Sequence, residues 1–366
     1  MKIQDIIWNL KKFDWWIILT SFLLSLVGLM VIYSTSLYKG DFLNLKKQIL
    51  FLVVGLILMF LFSFFDWRIL RNDPFLILIL YFISLFLLTG LFIFAPETRG
   101  VKGWYKMGLF SFDPIEFAKL VLIILLAKYF STRHVEMYRF WHIVLSGIYI
   151  ILPSVLIFFQ PNLGSILVIL SLWLGILIAS GIKLKHFLIL SLIFIILFLI
   201  SWTTVLKDYQ KQRILSFLQP HLVDPLTIGW SQNQAKIAIG SGGLLGKGFT
   251  KGSQTQYGFL PEPHTDFTFA VIAEEFGLIG VGFLLLLFLF LLWRIFKISF
   301  VAKNNFPRLF AVGFAISIFS QIFIHIGMNL GLLPIIGIPL PFVSYGGSNL
   351  IFLFVGIGLL QSIRIF

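Results

Sequence analysis

The stretch FLPEPHTDFTFAVIAEEFGLIGVGFLLLLFLFLLWRIF, from Phe259 to Phe296, begins with Glu262, His264, Asp266, Glu274 and Glu275 and continues as apolar sequence to Trp293. A helix needs about 20 apolar residues to cross a bilayer, and this run exceeds that. Runs of similar character recur near 15–33, 46–65, 74–95, 114–130, 141–159, 163–180, 187–206, 308–331 and 342–363. They do not alternate polar with apolar, as strands of a membrane barrel would. The expected fold is all-α: a polytopic integral membrane protein with about ten transmembrane helices. Short connectors join the spans, except for one large extracytoplasmic loop, 207–266, between the seventh and eighth. No repeat or second domain is visible, so 1–366 reads as one membrane domain.

Composition agrees. The chain of 366 residues is 59% hydrophobic and 12% charged, with a mean hydropathy of +1.01. Soluble domains have roughly 45–50% apolar and about 25% charged residues. There are no cysteines, which excludes disulfides and thiolate metal sites. The first span is too long for a cleaved signal peptide and is expected to stay.

The net charge of +13 reads as loop lysine and arginine beside anionic lipid, rather than as a nucleic-acid surface. With the N-terminus inside, fifteen Lys and Arg fall in cytoplasmic segments and six in short outer loops. That bias places both termini in the cytoplasm and 207–266 outside. The long loop adds Lys207, Lys211, Arg213, Lys236, Lys247 and Lys251. External cations beyond those needed for solvation suit an anionic ligand, such as a phosphorylated lipid.

Several stretches combine polar groups with special backbone. DYQKQRILSFLQPHLVDP (Asp208–Pro225) reads as an amphipathic helix, with Leu215, Phe217 and Leu218 toward lipid. It serves either interfacial anchoring or phosphate binding. AIGSGGLLGKGFTKG (Ala238–Gly252) resembles a nucleotide loop only superficially. Ser241 stands where the first glycine belongs, and Gly248 follows Lys247 where Ser or Thr is required. A tight turn is expected there. In FDPIEFAKL, Pro114 suits a first helical turn, and Glu116 and Lys119 share one helix face. Gln160, Pro161, Asn162 and Gly164 of QPNLGS read first as a simple tight turn between two spans, in which Asn162 could cap the sixth. In GLLPIIGIPLPFVSYGGSNL (Gly331–Leu350), prolines and glycines interrupt apolar sequence. Such backbone survives at depth only where protein or a cavity covers it. Ser344 and Tyr345 therefore either line a pocket or break the tenth helix. Thr265 or Asp266 is the expected N-cap of the eighth span.

FLPEPHTDFTFAVIAEEFG, KIAIGSGGLLGKG and LLPIIGIPLPFVSYGGS together closely resemble the SEDS family (shape, elongation, division and sporulation), and its elongation branch more than its division branch. DYQKQR, IEFAKL and QPNLGS fit the same family, so the likeness runs from about Lys47 to the C-terminus. It implies a peptidoglycan glycosyltransferase of the bacterial cytoplasmic membrane that polymerises lipid II at the outer face. It implies partnership with a class B penicillin-binding protein and other elongation-complex components, within membrane lipid and without nucleic acid. The family's catalytic aspartate falls on Asp266. Its span-four pair falls on Glu116 and Lys119, and its basic residues on Lys47 and Arg213. Arg99 and Lys102 stand in the family's basic outer-loop motif. Lys236, Lys247, Glu262, His264, Ser344 and Tyr345 complete the expected substrate-binding set. The chain departs from the family at Asn162, Ile115, Pro263 and His325, and its outer-loop motif, Arg99–Trp104, has one basic residue fewer.

The chemistry implied is attack of an acceptor 4-hydroxyl on a donor anomeric carbon, with undecaprenyl pyrophosphate leaving. Asp266 is the expected general base, and outer cations stabilise the leaving charge. No covalently bound cofactor is expected. Family members respond to divalent cations, so Mg or Mn is a possible cofactor, with no ligands identifiable. The competing readings are a flippase or transporter of the same lipid, which predicts midplane sites, broken helices and repeats, and a non-catalytic scaffold.

Overall fold

The structure is a computed structural model that describes residues 10–96, 103–108, 110–133, 140–204 and 228–366, with Lys211 and Leu215 besides. Long helices occupy every expected span: α1 (Trp15–Lys39), α2 (Leu43–Ser63), α4 (Pro74–Phe94), α5 (Pro114–Arg133), α6 (Phe140–Phe159), α7 (Leu163–Ala179), α8 (Leu184–Thr204), α11 (Thr268–Val301), α12 (Asn305–Leu330) and α13 (Gly347–Ile365). The short α3 (Arg68–Asn72) precedes α4. By length and composition, 7 helices among the described residues can cross a membrane. Of the others, α5 carries Glu116, Lys119, Lys128 and Arg133, and α7 has only 17 residues. The protein is a multi-pass membrane protein.

Local chemistry sets several boundaries. Asp73 accepts from the N–H groups of Phe75 and Leu76, and Pro74 opens α4. Asn162 Oδ1 accepts from Ser165 N at 3.2 Å, so α7 carries the expected cap. Gly331 ends α12 in the left-handed conformation, where a side chain is disfavoured. α5, α12 and α13 are buried along most of their length. Phe130, Phe306, Phe310 and Phe354 are among the largest fully buried side chains. Outer faces are apolar too: Leu286, Leu289, Trp293 and Phe300 of α11 are exposed. In water such a face would be a liability; against lipid it is ordinary surface.

Three expectations change. The tight turn expected over 238–252 is helical as far as Gly242, where α9 (Ile228–Gly242) ends, and the short α10 (Ser253–Gln256) follows it; the glycines at 240 and 242 hide the helix from a turn-based reading. The all-α expectation meets one small antiparallel ribbon, β1 (Tyr105–Met107) with β2 (Phe110–Phe112). The tenth span begins at Gly347 rather than 342, because residues 341–345 form a turn in which Val343 N and Ser344 N donate to Leu340 O. The amphipathic stretch 208–225, apart from helical Lys211 and Leu215, lies outside the described residues.

The extra length of α11 is explained by a break. Gly277 has φ 64° and ψ −163°, and divides the helix in two. A break strands carbonyls on one side and N–H groups on the other. The glycine-rich loop supplies both. Lys247 N and Gly248 N donate to the carbonyls of Glu274 and Glu275 at 2.9 and 3.0 Å, while Leu278 N and Ile279 N donate to those of Gly243 and Leu244 at 2.9 and 3.2 Å. The loop that imitated a nucleotide motif is a plug for a broken helix.

Candidate active site

The residues 262–266 form a tight turn before α11. Glu262 O accepts from Thr265 N at 3.2 Å and Asp266 N at 3.1 Å. Glu262 itself has φ 46°, a conformation that costs a non-glycine residue about 1–2 kcal/mol. Such strain persists where surrounding structure imposes it, commonly at functional sites. Its Oε2 lies 3.9 Å from His264 Nε2.

Asp266 does not cap α11. Phe267 occupies the cap position and makes no side-chain capping bond. Two residues of α12 do it instead. His325 Nε2 accepts from Phe269 N at 3.4 Å, and Asn329 Oδ1 accepts from Ala270 N at 3.3 Å. Asn329 Nδ2 also donates to the backbone carbonyl of Asp266 at 3.0 Å. His325 is oriented through its Nδ1, 2.7 Å from the carbonyl of Ile338. The expected cap fails for a physical reason: the donors it would satisfy are already satisfied from a neighbouring helix. The Asp266 carboxylate is turned toward the backbone of Gly337, where a Cβ would lie 3.8 Å from Oδ2.

The SYGG stretch ties this turn to the rest of the site. Ser344 Oγ donates to Thr265 O at 2.7 Å, accepts from Leu340 N at 2.9 Å and lies 2.8 Å from Thr268 Oγ1. Tyr345 N donates to His264 O at 2.8 Å, and the two rings lie 5.7 Å apart. Gln48 of α2 brackets the same segment, donating to Ser344 O at 3.4 Å and accepting from Gly346 N at 3.3 Å. Lys47, the residue before it on α2, is half-buried.

Further along, Ser348 Oγ accepts from Asp113 N at 2.8 Å, and Asn349 Nδ2 donates to Gln321 Oε1 at 3.2 Å. Gln321 borders a small cavity with Glu116 and Lys119. The pair is an ion pair of 2.7 Å, with side chains 10% and 6% exposed. Residues 344–349 therefore connect the Asp266 turn to the Glu116–Lys119 pair. Asp113, just outside α5, is pushed up to about 7 by burial first and by the Glu116 carboxylate second; the Ile115 N–H and Lys119 pull the other way.

Not every candidate joins this group. Lys247 is held by Glu274 at 3.0 Å and Ser253 at 2.6 Å. Glu274 also accepts from Gln254 N and from the N–H and Oγ1 of Thr255. Glu275 accepts from Ser34 of α1. These carboxylates anchor the loop rather than facing Asp266. Lys236 lies against Gly331, where a Cβ would sit 2.5 Å from its Nζ. It thus stands at the negative end of α12. Arg99, Lys102 and Arg213 lie outside the described residues. No cluster of three or more His, Asp or Glu side chains fit for a metal occurs among the described residues. Sequence reading missed Gln48, Gln321 and Asn329. The last two fall with His325 at four-residue intervals on one apolar helix, a polar stripe visible in the sequence.

The FtsW/RodA/SpoVE family model, described as "Cell cycle protein", matches residues 14–366. The chain belongs to this family. It is the SEDS family of the motifs above. Among relatives, the peptidoglycan glycosyltransferase MrdB of Escherichia coli (strain K12) is 37% identical over 359 residues, covering 98% of this chain and 95% of that protein. Stage V sporulation protein E of Bacillus subtilis (strain 168) is 35% identical, covering 96% of each. A chain of a peptidoglycan synthase complex that coordinates polymerization and crosslinking superposes with a TM-score of 0.82 at 31% identity, covering 96% of this chain and 97% of that one. The rod shape determining protein RodA of Thermus thermophilus gives a TM-score of 0.70 at 30% identity, covering 96% of each. As a SEDS protein, the chain has its departures in structural roles: Asn162 caps α7, and His325 caps α11 from α12.

Proposed function

We propose that this SEDS protein is a peptidoglycan glycosyltransferase that polymerises lipid II during cell elongation, at the outer face of the bacterial cytoplasmic membrane. Asp266 acts as general base on the acceptor 4-hydroxyl, and the anomeric carbon–phosphate oxygen bond of the donor breaks to release undecaprenyl pyrophosphate. The reading carries ten crossings with both termini cytoplasmic. Its partner is a class B penicillin-binding protein, in keeping with the similar chain in a polymerization and crosslinking complex.

The supporting observation is the place of Asp266, at the start of α11 with its carboxylate turned toward Gly337 in the chain leading to the SYGG segment, on a turn held by Asn329. A positioned carboxylate that takes a proton in the transition state contributes about 10²–10⁴ in rate. The adjacent helix start favours its ionised, proton-accepting form. Lys47, Lys119 and Lys236 supply charge for the pyrophosphate, and cations in a water-poor groove act more strongly than in bulk.

The transporter reading gains one feature, the break at Gly277. Transporters use such breaks to expose carbonyls and N–H groups to a substrate or ion. Here the groups flanking the break are bonded by the loop 243–248, which favours the enzyme. Purified protein given lipid II, with and without its partner, is assayed for glycan strands. Asp266→Asn should lower synthesis by about two orders of magnitude or more while the protein still binds lipid II. Near-normal synthesis by that variant sinks the assignment.

A further inference from the structure

At the end of the bundle opposite Asp266, α11 runs out at Val301 and α12 begins at Asn305. A cavity of about 390 Å³ opens beside that connection, a volume within the roughly 300–1,000 Å³ of small-ligand sites. Its charged side chains are four cations, Arg294, Lys297, Lys303 and Arg364, and one carboxylate, Asp14; Phe366, whose main-chain oxygen accepts from Arg68, also lines it.

The carboxylate is fully engaged. Asp14 is 2% exposed. Arg294 donates to its Oδ1 at 3.2 Å and its Oδ2 at 2.5 Å, and Arg364 also donates to Oδ2. Gln361 fixes the Asp14 backbone, accepting from its N–H at 2.8 Å and donating to its carbonyl at 3.1 Å. Both guanidiniums are thereby held in place by a single negative charge. Lys297 and Lys303 form no ion pair among the described residues; the Lys297 ammonium stands 5.6 Å from the Trp293 ring centre. Asn304 lines the cavity at the cap position of α12 and makes no side-chain cap bond, so the positive end of a long helix adds to the field.

Setting orientation in a membrane requires only that Lys and Arg lie on one side. It does not require them to converge on a cavity whose one acidic side chain is saturated. The remaining wall is apolar, including Ile298, Val301 and Ile363, and Val301 and Phe300 are strongly exposed beside it. We infer that this cavity binds the phosphate of an anionic phospholipid headgroup from the leaflet at this end of the bundle. Lys297 and Lys303 are the free charges that meet the phosphate, and the Asp14–Arg294–Arg364 cluster is the rigid floor.

The test is lipid retention, measured by native mass spectrometry after transfer from phosphatidylcholine nanodiscs titrated with phosphatidylglycerol. The wild-type protein should retain phosphatidylglycerol in preference to phosphatidylcholine. In K297A/K303A that preference should fall by about tenfold or more, since each cation near a charged headgroup contributes measurably. K297R/K303R should keep it. If the alanine pair proves unstable in neutral lipid, Lys303→Gln alone should lower the preference by about fivefold. Equal retention by wild-type and charge-deleted proteins overturns the site. Thermal unfolding in neutral lipid with inorganic phosphate separates the sources. Stabilisation by phosphate that phosphatidylglycerol does not exceed assigns a free anion and overturns the lipid.

Discussion

Asn329 Nδ2 donates to the main-chain carbonyl of Asp266 at 3.0 Å, while Asn329 Oδ1 accepts from Ala270 N at 3.3 Å. One amide thus holds the turn that carries Asp266 and the helix that follows it. Under the proposed function, stability falls to Asn329 and catalysis to Asp266. Asp266→Ala should abolish glycan synthesis with little change in Tm. Asn329→Ala leaves buried polar groups unpaired, which costs about 1–3 kcal/mol, so it should lower Tm. The opposite pattern in thermal unfolding would return the capping role to Asp266.

Glu116 and Lys119 form a buried ion pair at 2.7 Å. Deleting one partner strands the other charge, at about 3–5 kcal/mol. The double alanine variant should therefore be destabilised by much less than the two single changes added together. Unfolding measured over the full cycle checks this, and additive losses would show that the charges act separately.

The plug in the α11 break depends on Gly246. It has φ +80°, and a Cβ there would lie 2.2 Å from Glu275 O. Gly246→Ala should destabilise the protein by about 1–3 kcal/mol. Gly240 in α9 has no atom within 4 Å of a built Cβ, so Gly240→Ala should be neutral or stabilise by about 0.5–1 kcal/mol. Equal Tm values for the two variants would mean that the loop does not hold the break.

Asp113 gives a pH dependence with a defined sign. Its ordinary value is 3.8 and its folded value about 7. Between these limits the folded state binds the extra proton. The stability it contributes is complete below about 3.8 and is lost as pH rises to about 7. Tm should accordingly fall across that window. Asp113→Asn should flatten the fall, and an unchanged Tm–pH curve in the variant would remove Asp113 as its source.

The proposed orientation is open to labelling because the chain has no cysteine. Cysteines placed singly at Lys251 and Lys303 lie toward opposite ends of the bundle. An impermeant thiol reagent on intact cells should label position 251 and spare 303. Labelling of 303 alone would invert the topology and remove access to an external substrate.

The sequence by itself determined the helical membrane class, the positions of the long helices, the Asn162 cap and the Glu116–Lys119 pairing. Each follows from local physics: apolar length, a short polar side chain before a helix, and charges one turn apart. The family motifs brought Asp266 forward, but its environment was not legible, because a cap can be supplied from another helix without any mark near the helix it serves. Only the tertiary structure put His325 and Asn329 against the first turn of α11. It also turned a glycine-rich loop into the partner of a break more than twenty residues later. Hydrogen-bond satisfaction is a property of the whole packed bundle, and sequence spacing records only the part that neighbours along one element can supply.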